Sequence, residues 1–259
     1  MSDAPAKISI RGLRKSFGAK EVLRGIDLDI AAGKSLVLIG GSGTGKSVLL
    51  KCVLGLIPAD AGEILVDGVN LLKLSAHERS RRTREIGMLF QGSALFDSLK
   101  VWENVGFRLI HGDGVPRGAA RSRAIDCLAQ VGLPSEVGDL APSELSGGMQ
   151  KRVALARAIA ADPKVLFFDE PTTGLDPITA DVINRLIVER VKAIGATAIS
   201  ITHDMTSARK IADDIAMIYQ GRIVWRGPAA EIDRTDNPYV DQFVHGRAEG
   251  PIKMSLKIS

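Results

Sequence analysis

Apolar and polar residues alternate near the start of the chain and give way to uninterrupted apolar runs further along. The alternation over 7–13 and 22–30 has the period of half-exposed strands. The uninterrupted runs predict strands that are buried within a sheet. These runs span 36–39, 86–90, 165–168 and 197–202. Further short strands are predicted at 62–68, 215–219 and 222–225.

Helical periodicity fills most of the segments between those strands. A first helix is predicted from Gly45 to Leu56, with Pro58 ending it. Two longer helices begin at residues suited to capping, Ser146 and Asp176. Apolar residues also recur at helical spacing across 92–145, which predicts a mostly helical inserted subdomain. Because strands alternate with helices, the chain is predicted to be an α/β protein with a mostly parallel core sheet.

The apolar run at 36–39 leads into a glycine-rich segment with the spacing of a phosphate-binding loop. We call it the phosphate loop; its residues are Gly40, Gly41, Ser42, Gly43, Thr44, Gly45, Lys46 and Ser47. Glycine allows backbone N–H groups to converge on an anion, and the following helix adds its positive end. Lys46 can reach β- and γ-phosphates, and the Ser47 hydroxyl can ligate Mg²⁺. A glycine-rich turn without a ligand is the alternative, which the complete pattern disfavours.

Polar residues close the other apolar runs, and in a parallel sheet the ligand lies beyond the strand ends. Asp169 can hold Mg²⁺ opposite Ser47, and Glu170 can orient and polarise an attacking water. Gln91 has an amide that can bridge metal and water, and His203 can hydrogen-bond a γ-phosphate or the water. Taken singly, Gln91 and His203 could be ordinary strand-end residues. We expect all of these groups to converge with Gly40 on one site.

A second glycine pair precedes the helix that begins near Ser146. We call residues 145–150 the signature segment; Ser146, Gly147 and Gly148 within it form a second potential anion site at a helix N-terminus.

An arginine-rich segment at 75–85 is either a membrane-facing basic patch or, as we favour, a solvated helix face. Phe17 is interpreted, on its own, as a strand-end core residue rather than a stacking surface.

Composition narrows the function classes further. Aromatic residues make up only 4% of the chain and the net charge is +4, which argues against a nucleic-acid partner. Cys52 and Cys127 lack metal-type spacing and are predicted to be reduced core residues. No apolar run approaches the ~20 residues needed to span a bilayer, and Met1 to Lys7 lack the apolar region of a signal peptide.

In their order, these motifs resemble those of the ATP-binding-cassette (ABC) ATPases over nearly the whole chain. The resemblance implies a P-loop NTPase fold with an antiparallel β subdomain, and ATP and Mg²⁺ as ligands. It implies a head-to-tail homodimer in which the signature segment of one copy closes over ATP held by the other, with Asp176 at the dimer contact. Phe17 takes the position of the family's adenine-stacking aromatic, which reverses the core interpretation. Val48 completes the nucleotide-binding segment.

Finer features resemble the ATPase subunits of transporters that work with MCE-domain proteins and move phospholipids (the Mla group). They are the segment after Gln91, residues 142–144, Met149 and the run at 242–252. This resemblance implies an integral permease, an MCE-domain protein and, in some systems, a STAS-domain subunit as partners. Phospholipid would be handled by the complex and not by this chain. The permease contact is expected at 91–109, with Asp97 and Glu103 as exposed charges.

The domain expectations follow from the same resemblance. Residues 1–240 are predicted to form a single ABC ATPase domain with the helical subdomain at about 92–160, and residues 241–259 a tail at the dimer interface. The location is expected to be cytoplasmic, peripheral on the inner membrane. Three alternatives stay open: an importer ATPase for a small polar solute such as an amino acid, a non-transport ABC protein acting on ribosomes or DNA, and a non-enzymatic nucleotide-binding scaffold.

Overall fold

The computed structural model describes residues 6–253 and divides the chain into two compact units. The first unit comprises Ala31–Ser35 and Leu74–Ile201. The second comprises Ala6–Ile30, Leu36–Lys73 and the described chain from Thr202 onward. This division does not follow the expected boundary of a helical subdomain at 92–160, and the predicted domain organisation remains a prediction.

The first unit contains parallel strands covered by helices. Its strands lie in the order β8–β7–β6, all parallel. They are β6 (Ile86–Leu89), β7 (Val165–Asp169) and β8 (Thr197–Ile201). Its helices are α2 (Ala76–Thr83), α3 (Val101–His111), α4 (Arg117–Gln130), α5 (Gly147–Ile159) and α6 (Pro177–Ile194). Helices α3, α4 and α5 pack on one another, so the prediction of helices after residue 92 is confirmed.

The second unit contains two groups of strands. One is a four-stranded sheet in the order β2–β1–β4–β5, with β4 antiparallel to both of its neighbours. In the other, β9 pairs in parallel with β3 and antiparallel with β10. The strands are β1 (Ala6–Phe17), β2 (Lys20–Ala31), β3 (Ser35–Ile39), β4 (Ala61–Val66), β5 (Val69–Asn70), β9 (Asp214–Tyr219) and β10 (Arg222–Pro228). The helices are α1 (Lys46–Val53), α7 (Met205–Ile211) and α8 (Pro238–Val244).

The core follows the apolar runs closely. Val165 to Phe168 and all five residues of β8 are buried, as uninterrupted runs predict. Cys52 and Cys127 are buried and free, which confirms their assignment as reduced core residues. Burial raises the pKa of each thiol to about 11, so neither forms a reactive thiolate near neutral pH.

Three element boundaries differ from the expectation. Helix α1 ends at Val53 rather than near Leu56, because Gly55 takes a left-handed φ of 70° and its N–H donates to the Cys52 carbonyl. Pro58 therefore follows a helix that has already ended. Helix α5 likewise ends at Ile159 rather than near Ala161, and β6 ends at Leu89, which leaves Phe90 exposed.

Hydrogen bonds from one side chain organise the C-terminal segment after α8. The side chain of Gln242 on α8 donates to the carbonyls of Arg247 (3.2 Å) and Ile252 (3.1 Å) and accepts from the Ile252 N–H (2.7 Å). These bonds fold residues 245–252 back onto α8. The predicted tail is therefore hydrogen-bonded to α8 as far as Ile252, its place at a dimer interface remains a prediction, and residues 254–259 lie outside the described residues.

Candidate active site

The phosphate loop joins β3 to α1 through a backbone that requires glycine. Gly40, Gly43 and Gly45 take left-handed φ values of 146°, 73° and 111°. A Cβ on Gly40 would lie 2.3 Å from the carbonyl oxygen of Ile218, and one on Gly45 would lie 2.9 Å from Leu23 Cδ2. The fixed glycines of the sequence pattern thus coincide with positions where no other residue fits without strain.

Lys46 is held inside this loop. Its Nζ donates to the carbonyl oxygens of Gly40 (2.7 Å) and Gly41 (2.8 Å), and its side chain is only 9% exposed. Thr44 Oγ1 also donates to the Gly41 carbonyl (2.9 Å). Helix α1 starts at Lys46 with Gly45 at its N-cap and no side-chain cap, so no side chain competes with an anion for its first amides.

A concave cavity of about 300 Å³ adjoins the loop in the second unit. Its lining consists of Phe17, Lys20, Val22, Gly43, Gly45, Lys46, Ser47 and Val48. Phe17 is 51% exposed at the end of β1, which excludes the core interpretation and leaves its ring available for stacking. Lys20 and Val22 were not predicted from the sequence. They follow the two-residue turn at Gly18 and Ala19, and this closeness to Phe17 is the feature that could have identified them.

His203 lies in the second unit at the point where the chain leaves β8. The preceding Thr202 N–H donates to the Leu38 carbonyl (3.4 Å), which places His203 beside the strand that enters the phosphate loop. Its imidazole is exposed. Asp204 then caps α7 by accepting from the N–H groups of Thr206 (3.0 Å) and Ser207 (3.1 Å). The location fits the predicted strand-end position.

In the first unit, one lysine contacts the main chain of both Gln91 and Glu170. Lys151 Nζ donates to the Gln91 carbonyl oxygen and lies 3.5 Å from the Glu170 carbonyl oxygen. Glu170 has a left-handed φ of 50°, its N–H donates to the Ile201 carbonyl (2.9 Å), and its Oε2 accepts from Thr173 Oγ1 (3.0 Å). The backbone that follows β7 is therefore fixed from several sides, and the carboxylate is partly oriented.

Sequence reasoning missed Lys151 and Thr173. Burial lowers the pKa of Lys151, while the carboxylates of Glu170 and Asp169 act in the opposite direction. Lys151 lies four residues before the buried Leu155 on α5, so the two residues share the apolar face of that helix. A lysine on an apolar helix face is the feature of the sequence that could have identified Lys151. Asp169 is half-buried at the end of β7 and Gln91 is exposed.

The signature segment and the loop before α6 line a second concavity, of about 460 Å³, in the first unit. It is lined by Ser146, Gly147, Gly148, Met149, Arg152, Gly174, Leu175, Asp176 and Thr179. Ser146 caps α5 by accepting from the Met149 N–H (3.3 Å). Asp176 caps α6 by accepting from the N–H groups of Ile178 and Thr179 (3.0 Å each). Hydrogen bonds from Thr179, with a further one from Ile178, hold the pKa of Asp176 below its usual value.

The oxygen donors expected to hold Mg²⁺ have suitable chemistry. They are the hydroxyl of Ser47, the side-chain amide of Gln91 and the carboxylate of Asp169, and hard divalent cations prefer such oxygens. Ser47 belongs to the second unit and the other two belong to the first. The convergence of the phosphate loop, Gln91, the Asp169–Glu170 pair and His203 therefore remains a prediction.

A glycine-rich phosphate loop after a buried strand, with carboxylates at the end of a parallel strand, defines a P-loop nucleotide-binding protein. The sequence profile of the ABC transporter family matches residues 23–173. The chain therefore belongs to the ABC transporter family and is an ATP-hydrolysing cassette. Among residues 6–253, no helix has both the length and the apolar character that crossing a membrane requires.

Individual relatives extend over almost the whole chain. The intermembrane phospholipid transport system ATP-binding protein MlaF of Escherichia coli K12 is 38% identical over 245 residues, 95% of this chain and 91% of the relative. The probable ribonucleotide transport ATP-binding protein mkl of Mycobacterium leprae is 39% identical over 248 residues, 96% and 71% of the two chains. A dimeric ATP-binding cassette in a post-hydrolysis state with ADP and Pi has a TM-score of 0.78 at 30% identity, covering 86% of this chain and 98% of that one. The predicted fold class is confirmed.

Proposed function

We propose that this chain powers the transport of phospholipids between two membranes as the ATPase subunit of a transporter complex. The observation that carries the proposal is the similarity to MlaF, which extends over 95% of this chain and 91% of that relative. The segment after Gln91 and the Met149 variant of the signature segment point the same way. The proposed partners are an integral permease, an MCE-domain protein and, as in some systems of this type, a STAS-domain subunit, with this chain on the cytoplasmic face of the inner membrane.

The cavity beside the phosphate loop is the proposed nucleotide site. Its loop amides and Lys46 bind the phosphates, and the exposed ring of Phe17 stacks on the adenine. Ser47, Gln91 and Asp169 would hold Mg²⁺, which would supply positive charge to neutralise the phosphates. The uncapped start of α1 and the left-handed glycines support this assignment, because they keep amides available to an anion.

Glu170 is the proposed general base, and His203 is proposed to contact the phosphate or the attacking water. The bond from Thr173 to Glu170 Oε2 supports an oriented carboxylate. The variant Glu170→Gln keeps an oxygen that can accept this bond but cannot take a proton. We expect ATP binding to persist while turnover falls by about 10²–10⁴. ATPase assays beside nucleotide-binding titrations test this, and normal turnover by the variant would remove Glu170 from the role.

The proposed homodimer places the signature cavity of one copy over ATP bound to the other. The match to a dimeric cassette with ADP and Pi supports this arrangement. Ser146, Gly147 and Gly148 would face the nucleotide, and Asp176 would lie at the contact. Since binding would drive dimerisation, the apparent ATP affinity should rise with protein concentration. Sedimentation of the Glu170→Gln variant with and without ATP measures this directly, and a monomer under both conditions would contradict it.

The cargo is tested by isolating the chain with its partners from detergent-solubilised membranes. Mass spectrometry that finds a polytopic permease, an MCE-domain protein and stoichiometric phospholipid would support the proposal. A permease without MCE protein or lipid would contradict it. The relationship to mkl makes a polar solute, such as the ribonucleotide in that protein's name, the second candidate. Solute uptake by the reconstituted complex would then be the decisive assay.

The proposed permease contact at 91–109 needs one revision. Asp97 is exposed, but Glu103 is half-buried: it accepts from the Lys100 N–H (3.0 Å) at the start of α3 and pairs with Arg117. Reversing the charge of Glu103 would damage the helix itself, so it is a poor probe of the contact. Asp97→Lys is the suitable test, and we expect it to uncouple ATP hydrolysis from transport without changing the stability of the chain.

A further inference from the structure

Two basic side chains of α5 hold the loop that carries Gln91. Lys151, which is only 5% exposed, donates to the Gln91 carbonyl and lies 3.5 Å from the Glu170 carbonyl. Arg157, six residues further along the helix, donates to the carbonyls of Ser93 and Ala94 at 2.6 Å each. Side chains of one helix thus hydrogen-bond to both ends of the segment 91–94, which we call the 91–94 loop.

The 91–94 loop has a backbone that needs such support. Ser93 and Ala94 take consecutive left-handed φ values of 62° and 49°, which residues with a Cβ rarely adopt. Such conformations persist only where the surroundings hold them. Arg157 supplies this support through the two carbonyl oxygens that follow the unusual φ angles.

Both cations are partly or wholly removed from water: Lys151 is buried and Arg157 is half-buried. Burial lowers the pKa of both Lys151 and Arg157. Within the described chain, the guanidinium of Arg157 contacts main-chain carbonyls and no carboxylate. Keeping a cation away from water is costly, and the carboxylates of Glu170 and Asp169 offset this cost in part at Lys151 but not at Arg157. The two cations that bear this desolvation cost contact the loop that carries Gln91, and one of them also contacts the backbone of Glu170. This location indicates that the cations serve the function of these two residues.

We propose that Lys151 and Arg157 are positioning residues for ATP hydrolysis. They fix the 91–94 loop and the backbone of Glu170 to the helix that begins with the signature segment, so that a movement of α5 moves both groups. The inference rests on the proposed roles of Gln91 and Glu170. Neither cation lines the cavity beside the phosphate loop, so both should govern the rate of hydrolysis and leave ATP affinity nearly unchanged.

The test uses the full chain in its transporter complex, with Lys151→Met and Arg157→Met as the removing variants. We expect kcat to fall about tenfold to a hundredfold, the effect of a small misplacement of catalytic groups, with KM for ATP within about twofold. Lys151→Arg and Arg157→Lys retain the charge and should recover part of the rate. Hydrogen exchange of residues 91–96 should accelerate in the methionine variants.

The matched control is Arg123→Met. Arg123 on α4 also donates to a carbonyl of the α5 region, at Ala160 (3.0 Å), but its other partner is the carboxylate of Asp162 (2.7 Å) and not the 91–94 loop. It should leave kcat and exchange at 91–96 unchanged. Unchanged kcat in both methionine variants, or an equal loss in the control, would overturn the proposal. Glu170→Gln assayed in parallel separates the two failures, because normal turnover by that variant defeats the proposed function whatever Lys151 does.

A second measurement isolates the strained backbone. Glycine adopts left-handed φ freely, so Ser93→Gly with Ala94→Gly removes the need for support. In that background Arg157→Met should lower kcat by a smaller factor than in the natural sequence. Equal factors in the two backgrounds would show that Arg157 does not hold these residues, and would overturn its half of the proposal.

Discussion

The phosphate loop and the signature segment share an outline, glycines followed by a helix, but their glycines meet different physical demands. In the phosphate loop, Gly40 and Gly45 are left-handed, so the backbone itself requires glycine. In the signature segment, Gly147 and Gly148 are already helical residues of α5. Gly148 is needed for space, because a Cβ there would lie 2.8 Å from Thr179 Cγ2. Glycine therefore shapes the chain in one region and permits close approach in the other.

The two helix starts differ as well. Helix α1 has no side-chain cap and carries Lys46 folded against the loop. Helix α5 has its Met149 N–H satisfied by Ser146, and no lysine lies within the signature segment. The phosphate loop thus has its own cation and an uncapped helix start, whereas the signature segment has no lysine and Ser146 occupies one of its amides. This contrast predicts that the first binds nucleotide by itself and the second only completes a site.

The largest expected effect comes from removing the cation of the phosphate loop, Lys46, which tests this contrast directly. Lys46→Ala should weaken ATP binding by about a hundredfold or more, since a charge-assisted hydrogen bond contributes up to about 3 kcal/mol. Titration with a fluorescent ATP analogue measures the loss. Lys51→Ala, an exposed lysine of the same helix, is the control and should bind normally. Full binding by folded Lys46→Ala protein would count against the phosphate-loop assignment; Lys46→Met, which keeps the apolar stem, guards against misfolding.

Features that depend on nearby residues could be predicted from the sequence. The phosphate loop, the Ser146 cap and the Asp176–Pro177 helix start all lie within a few residues of the groups they serve. Even here one boundary differs. Pro58 predicts the end of α1, but Gly55 ends the helix, because a left-handed glycine lets the helix carbonyls find partners earlier.

Features that join distant residues could not be predicted in this way. Lys151 meets the Gln91 carbonyl across 60 positions of sequence, and no periodicity records such a pair. Gln242 organises the segment up to Ile252 through its side-chain amide, although a glutamine on a helix is ordinarily a surface residue. In both cases a buried polar group satisfies main-chain atoms, and only the fold brings those atoms within reach.

A medium effect sharpens the distinction between the two kinds of glycine. Gly148→Ala should lower the free energy of unfolding by about 1–3 kcal/mol, the usual cost of overpacking. Thr179→Ser removes the obstructing methyl group and keeps the hydroxyl, so the double variant should recover most of that loss. Chemical denaturation of the two single variants and the double variant gives the coupling energy. Strict additivity would mean that space is not what Gly148 provides.

Gly45→Ala is the counterpart in the phosphate loop. Its φ of 111° is unfavourable for alanine whatever surrounds it, at a cost of about 1–3 kcal/mol. Trimming the neighbour by Leu23→Val should therefore restore little of the stability, although Leu23 Cδ2 is the nearest side-chain atom. Recovery comparable to that of the Gly148 pair would show that both glycines serve close approach, and the contrast between the two regions would fail.

The smallest effect concerns the charge of the cap that adjoins the signature cavity. Hydrogen bonds from Thr179 and Ile178 lower the pKa of Asp176, so its carboxylate is favoured in the folded state. A lowered folded pKa gives stability that is present above the unfolded pKa and lost as pH falls through the folded value. Asp176→Asn retains a capping oxygen without the charge. The gap in unfolding free energy between natural and variant chains should therefore be constant near neutral pH and narrow between about pH 5 and pH 2. Ser146→Ala, which removes an uncharged cap, should leave a gap that does not vary with pH; a gap that varied there in the same way would assign the pH dependence to another group.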